Sequence, residues 1–165
     1  MMEIILIGMF VALSIFATGF LTINNLLGIF RNMAIIGVVA FGMTMVIVSG
    51  EIDLSVGSGI ALSSVITATV ASRAVAAGWA PVFSIVVGVL VSFIVAITIG
   101  LFNGYLRTRF NIPSFIITLA MLNVLYGVAA TIAKGFPVVI ASERFSFIGA
   151  GQLFGFGKFR GIPVP

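Results

Sequence analysis

The chain has 165 residues, of which 61% are hydrophobic and only 7% are charged, with a formal net charge of +4. Soluble domains carry about 25% charged residues, so this composition excludes a soluble globular protein and predicts lipid as the main surrounding solvent. The Lys and Arg residues are scattered rather than clustered, which excludes a nucleic-acid interface. Because Cys and His are both absent, thiolate and imidazole metal sites, Cys nucleophiles and His-based triads are excluded. We therefore expect no cofactor, no metal ion and no enzymatic activity.

Five apolar stretches reach or approach the ~20 residues needed to cross a hydrocarbon core of about 30 Å. We predict helices, because a helix satisfies its backbone hydrogen bonds internally and no alternating barrel pattern is present. The predicted fold class is all-α: a polytopic helical membrane protein with about five transmembrane helices and a single transmembrane domain over residues 1–165. The predicted spans cover residues 4–21, 33–48, 54–77, 81–102 and 113–133.

The first predicted span is interpreted as a retained helix rather than a signal peptide. No basic segment precedes it, since Glu3 is the only charged side chain before the apolar run. Residues 22–32 have a mildly amphipathic pattern, which fits either a short interfacial helix or a simple link.

The second and third predicted spans meet at an acidic segment, residues 49–57, which contains Glu51 and Asp53. The second span is short. Two full crossings joined by a tight loop fit the pattern, and so does a broken or re-entrant pair of half-helices meeting inside the membrane, as in some transporters. Ionisable groups at membrane depth are costly and usually functional. We expect Glu51 at an aqueous rim.

Asp53 and Ser55 directly precede the third span. A carboxylate or hydroxyl at this position can accept hydrogen bonds from the N–H groups at the start of a helix. Such a cap explains Asp53 without any solute, whereas the alternative places it in a gate or pathway lining. The pathway or gate candidates are Glu51, Asp53, Ser55, Thr44, Thr118, Asn123 and Tyr126.

The third span carries small residues at four-residue spacing, in three interleaved sets. Small residues allow close approach of helix backbones in lipid, so we predict a buried helix, although apolar sequences also show such spacings by chance. The predicted packing residues are Gly57 and Ala61, Gly59 and Ser63, and Ser64, Ala68 and Ser72.

The fourth span lies between Trp79 and Tyr105, a separation of roughly 39 Å in a helix, which matches a bilayer with its headgroup zones. In the fifth span, the eight-residue spacing of Thr118 and Tyr126 predicts roughly one helix face, with Asn123 to one side. Polar side chains there, like Thr44 in the second span, fit either an interhelical hydrogen bond or a polar pathway. Residues 134–165 hold no membrane-length run and are predicted to lie outside the membrane.

Two further patterns restrict the function. Gly155-Phe156-Gly157-Lys158 is not a phosphate-binding loop, because Gln152 and Phe159 occupy the positions that the motif assigns to Gly and Ser or Thr. The charge distribution favours an external N-terminus by the positive-inside rule. The side reached after spans two and four carries Arg107 and Arg109. The other side carries more basic residues: Arg31, Arg73, Lys134, Arg144, Lys158 and Arg160.

From about residue 21 onward the chain resembles the inner-membrane permeases of bacterial ABC importers for ribose, xylose and related monosaccharides. The segments that carry the resemblance are Gly50-Glu51-Ile52-Asp53-Leu54-Ser55-Val56-Gly57-Ser58, Leu101-Phe102-Asn103-Gly104, Ile112-Pro113-Ser114-Phe115-Ile116-Ile117-Thr118-Leu119 and Gly161-Ile162-Pro163-Val164-Pro165. The first is the most specific.

The resemblance implies a dimer of permease subunits, homomeric or heteromeric, with two cytoplasmic ATPases and an external sugar-binding protein. ATP binding and hydrolysis would switch the dimer between inward- and outward-facing states. It also implies a cytoplasmic N-terminus, with Arg107 and Arg109 inside, and we follow it over the charge count. Family members are longer, so we interpret the chain as the N-terminal portion of a permease, ending before the ATPase-docking segment and unable to couple ATP hydrolysis to transport alone.

Two alternatives remain open at this point. The first keeps the importer but changes the cargo to a branched-chain amino acid, a nucleoside or a signalling furanose. The second is a non-transporting membrane interaction subunit.

Overall fold

The computed structural model describes residues 1–138, 152–153 and 162–163. It contains five helices and two short strands, and the strands pair in antiparallel register. The prediction of an all-α polytopic membrane protein is confirmed, the two-residue strands being a minor addition. The elements are α1 (Met2–Phe16), α2 (Ile23–Val48), α3 (Val56–Ala76), α4 (Pro81–Phe110), α5 (Ser114–Ala133), β1 (Gln152–Leu153) and β2 (Ile162–Pro163).

Four of these helices, α2 to α5, are long and apolar enough to cross a membrane. The first helix has only 15 residues, about 22 Å, which is short of a crossing. It ends at Phe16, and Gly19 just beyond has φ +86°, a conformation in which a helix cannot continue. The expectation of about five spans is corrected to four spans and one shorter apolar helix.

The second helix begins much earlier than the sequence pattern predicted. Leu26 N–H bonds to Thr22 O at 3.0 Å, and the helix then runs for 26 residues from Ile23. Of the two alternatives for residues 22–32, a simple link is wrong, and the helix that forms there is continuous with the membrane-length α2. At about 39 Å, α2 is long enough for a full crossing. Its length favours two full crossings over a pair of half-helices.

The chain divides into two compact units: Met1–Ala40 with Ser146–Pro165, and Phe41–Phe145. In unit one, the Phe10 and Phe20 rings make an edge contact with centroids 5.3 Å apart, and α1 has no buried residue. The prediction of a single domain over residues 1–165 stays a prediction.

Unit two is a helix bundle in which α3 contacts both α4 and α5. One core cluster joins Leu62 to Leu125 and Ala129, and a second joins Ala68, Ala71 and Ile85. The central position of α3 agrees with the predicted buried helix. The core faces inward, while apolar side chains on the outer surface, such as Phe93 and Ile94, are more than half exposed, as lipid-facing residues are.

The close approach of α3 and α4 occurs at a residue that the sequence pattern did not indicate. A Cβ added to Gly88 would lie 2.7 Å from Thr67 O. Of the predicted packing residues, only Ala68 is buried, and Gly57 and Ser64 are exposed. Within unit two, helix contact therefore depends on Gly88 and a buried set that includes Ser58, Leu62, Ala68 and Ala71.

Candidate functional site

The site begins at the end of α2, where the chain leaves the helix in a Schellman motif. Gly50 N–H bonds to Ile47 O at 2.9 Å, and Glu51 N–H bonds to Val46 O at 3.1 Å. The motif needs a residue in the left-handed region, and Gly50 supplies it with φ +77°. This sharp helix end directs residues 51–55 toward the first turn of α5.

Two hydroxyls one turn apart on α5 hold these residues. Ser114 Oγ accepts a hydrogen bond from Ile52 N–H at 3.1 Å. Thr118 Oγ1 accepts one from Leu54 N–H at 3.1 Å and lies 3.3 Å from Ile52 O, to which it can donate. A non-helical segment between membrane helices needs such partners, because an unsatisfied backbone group away from water costs several kcal/mol. Thr118, a predicted pathway residue, thus stabilises the loop by hydrogen bonding to its backbone. Its side chain is buried, with only 4% exposed.

Asp53 shapes the start of α3. Its Oδ1 accepts hydrogen bonds from Ser55 N–H at 2.7 Å and from the Ser55 hydroxyl at 2.6 Å. Ser55 is the N-cap residue, but its side chain makes no capping bond. The predicted cap is thus modified: Asp53 orients the cap residue rather than binding the N–H groups of the first turn. Among the described residues both bonds to Asp53 use Oδ1, so Oδ2 keeps its capacity as an acceptor.

Glu51 pairs with Arg107 near the end of α4. The Glu51 Oε1 to Arg107 Nε distance is 2.8 Å, and the side chains are 31% and 40% exposed. A hydrogen bond with Ser114, followed by the hydrogen bond with Arg107, lowers the pKa of Glu51. We call this region, residues 49–55 with the C-terminus of α4 and the N-terminus of α5, the loop end of unit two. The pair places the junctions of α2 with α3 and of α4 with α5 at this same end.

Two cavities adjoin this loop end. One has a volume of about 400 Å³ and lies between α3 and α4, where Gly59, Ser63 and Ser64 line it. These three were predicted as packing residues. The other, of about 270 Å³, is lined by the Glu51–Arg107 pair together with Ser114 and Thr118. Both cavities share the lining residues Asp53, Gly100 and Asn103.

Asn103 is the site residue that the sequence analysis did not select. Its Oδ1 is buried and has no hydrogen-bond partner among the described residues. Buried polar atoms are nearly always paired with protein, water or ligand, so this oxygen marks a place for a polar partner. The predicted span ended at residue 102, but α4 continues to Phe110. The sequence signal that could have identified Asn103 is a polar amide side chain within the long apolar stretch that forms α4.

Three other predicted residues do not line these cavities. Thr44 is exposed on α2. Asn123 is also exposed, and its Nδ2 donates to Leu119 O of its own helix at 3.2 Å. Tyr126 is 66% exposed whereas Thr118 is 4% exposed, so the prediction of one shared face is wrong: eight residues at about 100° each leave the two about 80° apart. A pathway role for Thr44, Asn123 and Tyr126 stays a prediction.

Four membrane-length helices, an apolar exterior and polar groups gathered between helices define a multi-pass helical membrane protein. Residues 25–161 match the family described as the permease component of the branched-chain amino acid transport system, and the chain belongs to that family.

Curated relatives refine this comparison. The chain is 35% identical over 147 residues to an L-arabinose ABC transporter permease protein of Azospirillum brasilense, covering 89% of this chain and 41% of the relative. It is 38% identical over 162 residues to the ribose import permease protein of Bacillus subtilis (96% and 47%), and 32% identical over 154 residues to the xylose transport system permease protein of Escherichia coli (90% and 37%). The chain thus spans about half the length of these relatives or less. No solved structure matches it. The resemblance to sugar ABC permeases is confirmed.

Proposed function

We propose that this chain forms part of the solute pathway of an ABC importer permease that carries a monosaccharide across the bacterial inner membrane. The names of the relatives support the solute class, since they are permeases for arabinose, ribose and xylose. The description of the matched family names branched-chain amino acids. An amino acid is therefore the second candidate.

The observation that carries the proposal is the unsatisfied Asn103 Oδ1, since Asn103 lines both loop-end cavities together with Asp53. Asn103 Oδ1 and Asp53 Oδ2 are acceptors, and Ser63 and Ser64 also line the larger cavity. A sugar presents several O–H donors and acceptors. Bonds from those hydroxyls to a carboxylate are charge-assisted and therefore strong, so the site suits a neutral polyol better than an apolar amino acid side chain.

The Glu51–Arg107 ion pair would close the smaller cavity at the loop end. Glu51 follows α2, Arg107 lies near the end of α4, and both line the smaller cavity. Separating α4 from residues 49–55 breaks the pair and exposes the cavity at the loop end. Because its pKa is lowered, Glu51 stays ionised at neutral pH, and the pair then opens by helix movement rather than by protonation.

The assembly that we propose follows from the family. A second permease subunit, cytoplasmic ATPases and an external sugar-binding protein would work with this chain, whose N-terminus would be cytoplasmic. Impermeant thiol labelling tests the orientation without background, because the chain has no Cys. We expect Lys134→Cys to be labelled in intact cells and Arg109→Cys to be protected. The reverse pattern would restore the orientation given by the charge count.

Uptake of labelled sugar tests the function. In cells whose transporter contains this chain, Asp53→Asn should lower uptake of ribose, arabinose or xylose by about tenfold, the effect expected for loss of one charge-assisted hydrogen bond. Glu3→Gln, which also removes a carboxylate, is the control and should leave uptake unchanged.

The same assay distinguishes the alternatives. Uptake of labelled leucine instead of sugars would favour the amino acid importer. Uptake of neither by the assembled transporter, with the chain present in the membrane at normal amounts, would contradict a transport role and favour an interaction subunit.

A further inference from the structure

A third cavity lies at the opposite end of unit two, remote in sequence from the loop end. Its volume is about 390 Å³, and it lies between the C-terminal halves of α3 and α5. It is lined by Ile66, Thr69, Val70, Arg73, Thr131, Ile132 and Lys134. We call this the cation end, because two basic side chains and no carboxylate line the cavity.

The two cations have no partner in the described part of unit two. Arg73 lies in the last turn of α3, Lys134 directly follows α5, and both are exposed. The ion pair found among the described residues is the one between Glu51 and Arg107. Cations favour helix C-termini, which accounts for the residue types, yet within residues 1–138 neither side chain donates a hydrogen bond to a helix carbonyl. Both charges are therefore available to an anion.

One residue that lines this cavity carries a buried hydroxyl without a partner among the described residues. Thr69 Oγ1 is buried and has no hydrogen-bond partner among the described residues, and Thr69 lines the cavity. It lies one turn before Arg73 and therefore on the same face of α3. Because a buried hydroxyl without a partner costs free energy, this atom favours a ligand with an acceptor oxygen about one turn deeper than the anionic group.

The polarity of the lining changes along the helix axis. Ile66 and Val70 precede Arg73 on α3, so the apolar side chains lie deeper than the guanidinium group. Trp79 follows α3 and is 48% exposed; tryptophan at such a position is typical of the headgroup level of a membrane. A cavity with cations at the headgroup level and apolar residues below them suits an amphiphile rather than a free ion.

We propose that the cation end binds one anionic phospholipid. Arg73 and Lys134 contact the phosphate, the Thr69 hydroxyl donates to an ester carbonyl oxygen, and an acyl chain lies along Ile66 and Val70. Since the site uses none of the residues of the loop end, it does not depend on the identity of the transported solute.

Trp79 is the single tryptophan of the chain, so its fluorescence reports on lipid near this end. We would place the full chain in vesicles of unlabelled phosphatidylcholine that contain a small fraction of brominated phosphatidylglycerol or brominated phosphatidylcholine. The Trp79 fluorescence of the wild-type chain should be quenched by phosphatidylglycerol at about one fifth of the phosphatidylcholine concentration or less, since each well-placed cation contributes roughly a fivefold preference. Equal quenching by the two lipids would overturn the proposal without any variant.

Variants distinguish a specific lipid site at the cation end from a general attraction between the positively charged chain and anionic lipid. Arg73→Gln combined with Lys134→Gln should abolish the preference, and Thr69→Val should reduce it. Arg31→Gln combined with Arg109→Gln removes the same net charge elsewhere and should leave it intact. Equal loss in both double variants would contradict a local site. If the first double variant does not fold, Arg73→Lys combined with Lys134→Arg, which keeps both charges, should retain most of the preference; its loss would count against the proposal.

Two more outcomes would refute a lipid ligand. If millimolar inorganic phosphate removes the preference as well as excess unlabelled phosphatidylglycerol does, the site takes a free anion. If the wild-type chain shows no preference but Glu143→Gln creates one, that carboxylate, which lies outside the described residues, already neutralises the cations.

Discussion

The two ends of unit two differ in whether their charged side chains are paired. At the loop end, Glu51 is paired with Arg107, and the hydroxyls of Ser114 and Thr118 satisfy the backbone of the loop. At the cation end, Arg73 and Lys134 have no partner among the described residues. Paired charges and satisfied backbone groups fix a geometry, whereas unpaired cations recruit a ligand. This contrast is the basis of our two proposals, a neutral polar solute at the loop end and an anion at the cation end.

Both ends keep their geometry only if α3, α4 and α5 pack as one unit. A substitution at Gly88, where α3 and α4 approach closely, tests this packing and should have the largest effect. Gly88→Ala places a Cβ 2.7 Å from Thr67 O, so the backbones of α3 and α4 must separate. We expect a loss of about 1–3 kcal/mol in the free energy of unfolding, measured by titration of mixed micelles with denaturing detergent. Gly127→Ala, where a Cβ meets nothing within 4 Å, is the control. Equal stability of the two variants would contradict close packing at Gly88.

Removing the Thr118 hydroxyl, which accepts a hydrogen bond from the loop backbone, should have the second-largest effect on stability. Thr118→Val keeps the shape of the side chain but leaves Leu54 N–H without its acceptor. The expected cost is about 1–3 kcal/mol, the penalty of an unsatisfied buried donor. Thr98→Val is the matched control, because that exposed hydroxyl bonds only within its own helix, to Ile94 O. If thermal unfolding in detergent shows the same small change for both variants, the loop does not depend on α5.

The ion pair gives the smallest effect at neutral pH. Both side chains are about one third exposed, so water screens the pair, and breaking it by Arg107→Gln should lower the unfolding temperature only slightly. Its contribution depends on pH. Because the pKa of Glu51 is lowered from its ordinary value of 4.5, the contribution is fully present above pH 4.5 and is lost as the pH falls through the lowered pKa.

The difference in unfolding temperature between the wild-type chain and Arg107→Gln should therefore shrink in acid. A difference that stays constant from neutral pH to well below pH 4.5 would show that the Glu51 carboxylate does not contribute through this pair.

Local sequence signals predicted the bundle well. Gly78 and Pro81 separate α3 from α4, Pro113 precedes α5, and the helix bounds there lie close to the predicted ones. The predicted bounds were wrong where polar residues occur inside helices. Asn24 and Asn25 made the start of α2 resemble a loop, and Asn103 made α4 look as if it ended early. A few polar side chains do not end a helix, even when a glycine such as Gly104 follows, if no capping geometry accompanies them.

The site was only partly predictable. The local pattern indicated that Asp53 and Ser55 act at the start of α3, but it did not indicate that Asp53 accepts its hydrogen bonds from Ser55. The Glu51–Arg107 pair spans 56 residues and the Leu54–Thr118 bond spans 64, and nothing in one sequence specifies such distant partners. The small residues of α3 were recognised as special, but a helix contact and a cavity lining need the same residue types. Only the positions of α4 and α5 distinguish them.

The most direct test of the account fills the loop-end cavities without touching a hydrogen bond. Gly100 lines both cavities, and a Cβ added there meets nothing within 4 Å. Gly100→Leu should lower sugar uptake by about tenfold or more while leaving the unfolding transition unchanged within about 1 kcal/mol. Gly127→Leu, on α5 and outside both cavities, should transport normally. Normal uptake by a folded Gly100→Leu variant would contradict the proposal that the two loop-end cavities belong to the solute pathway.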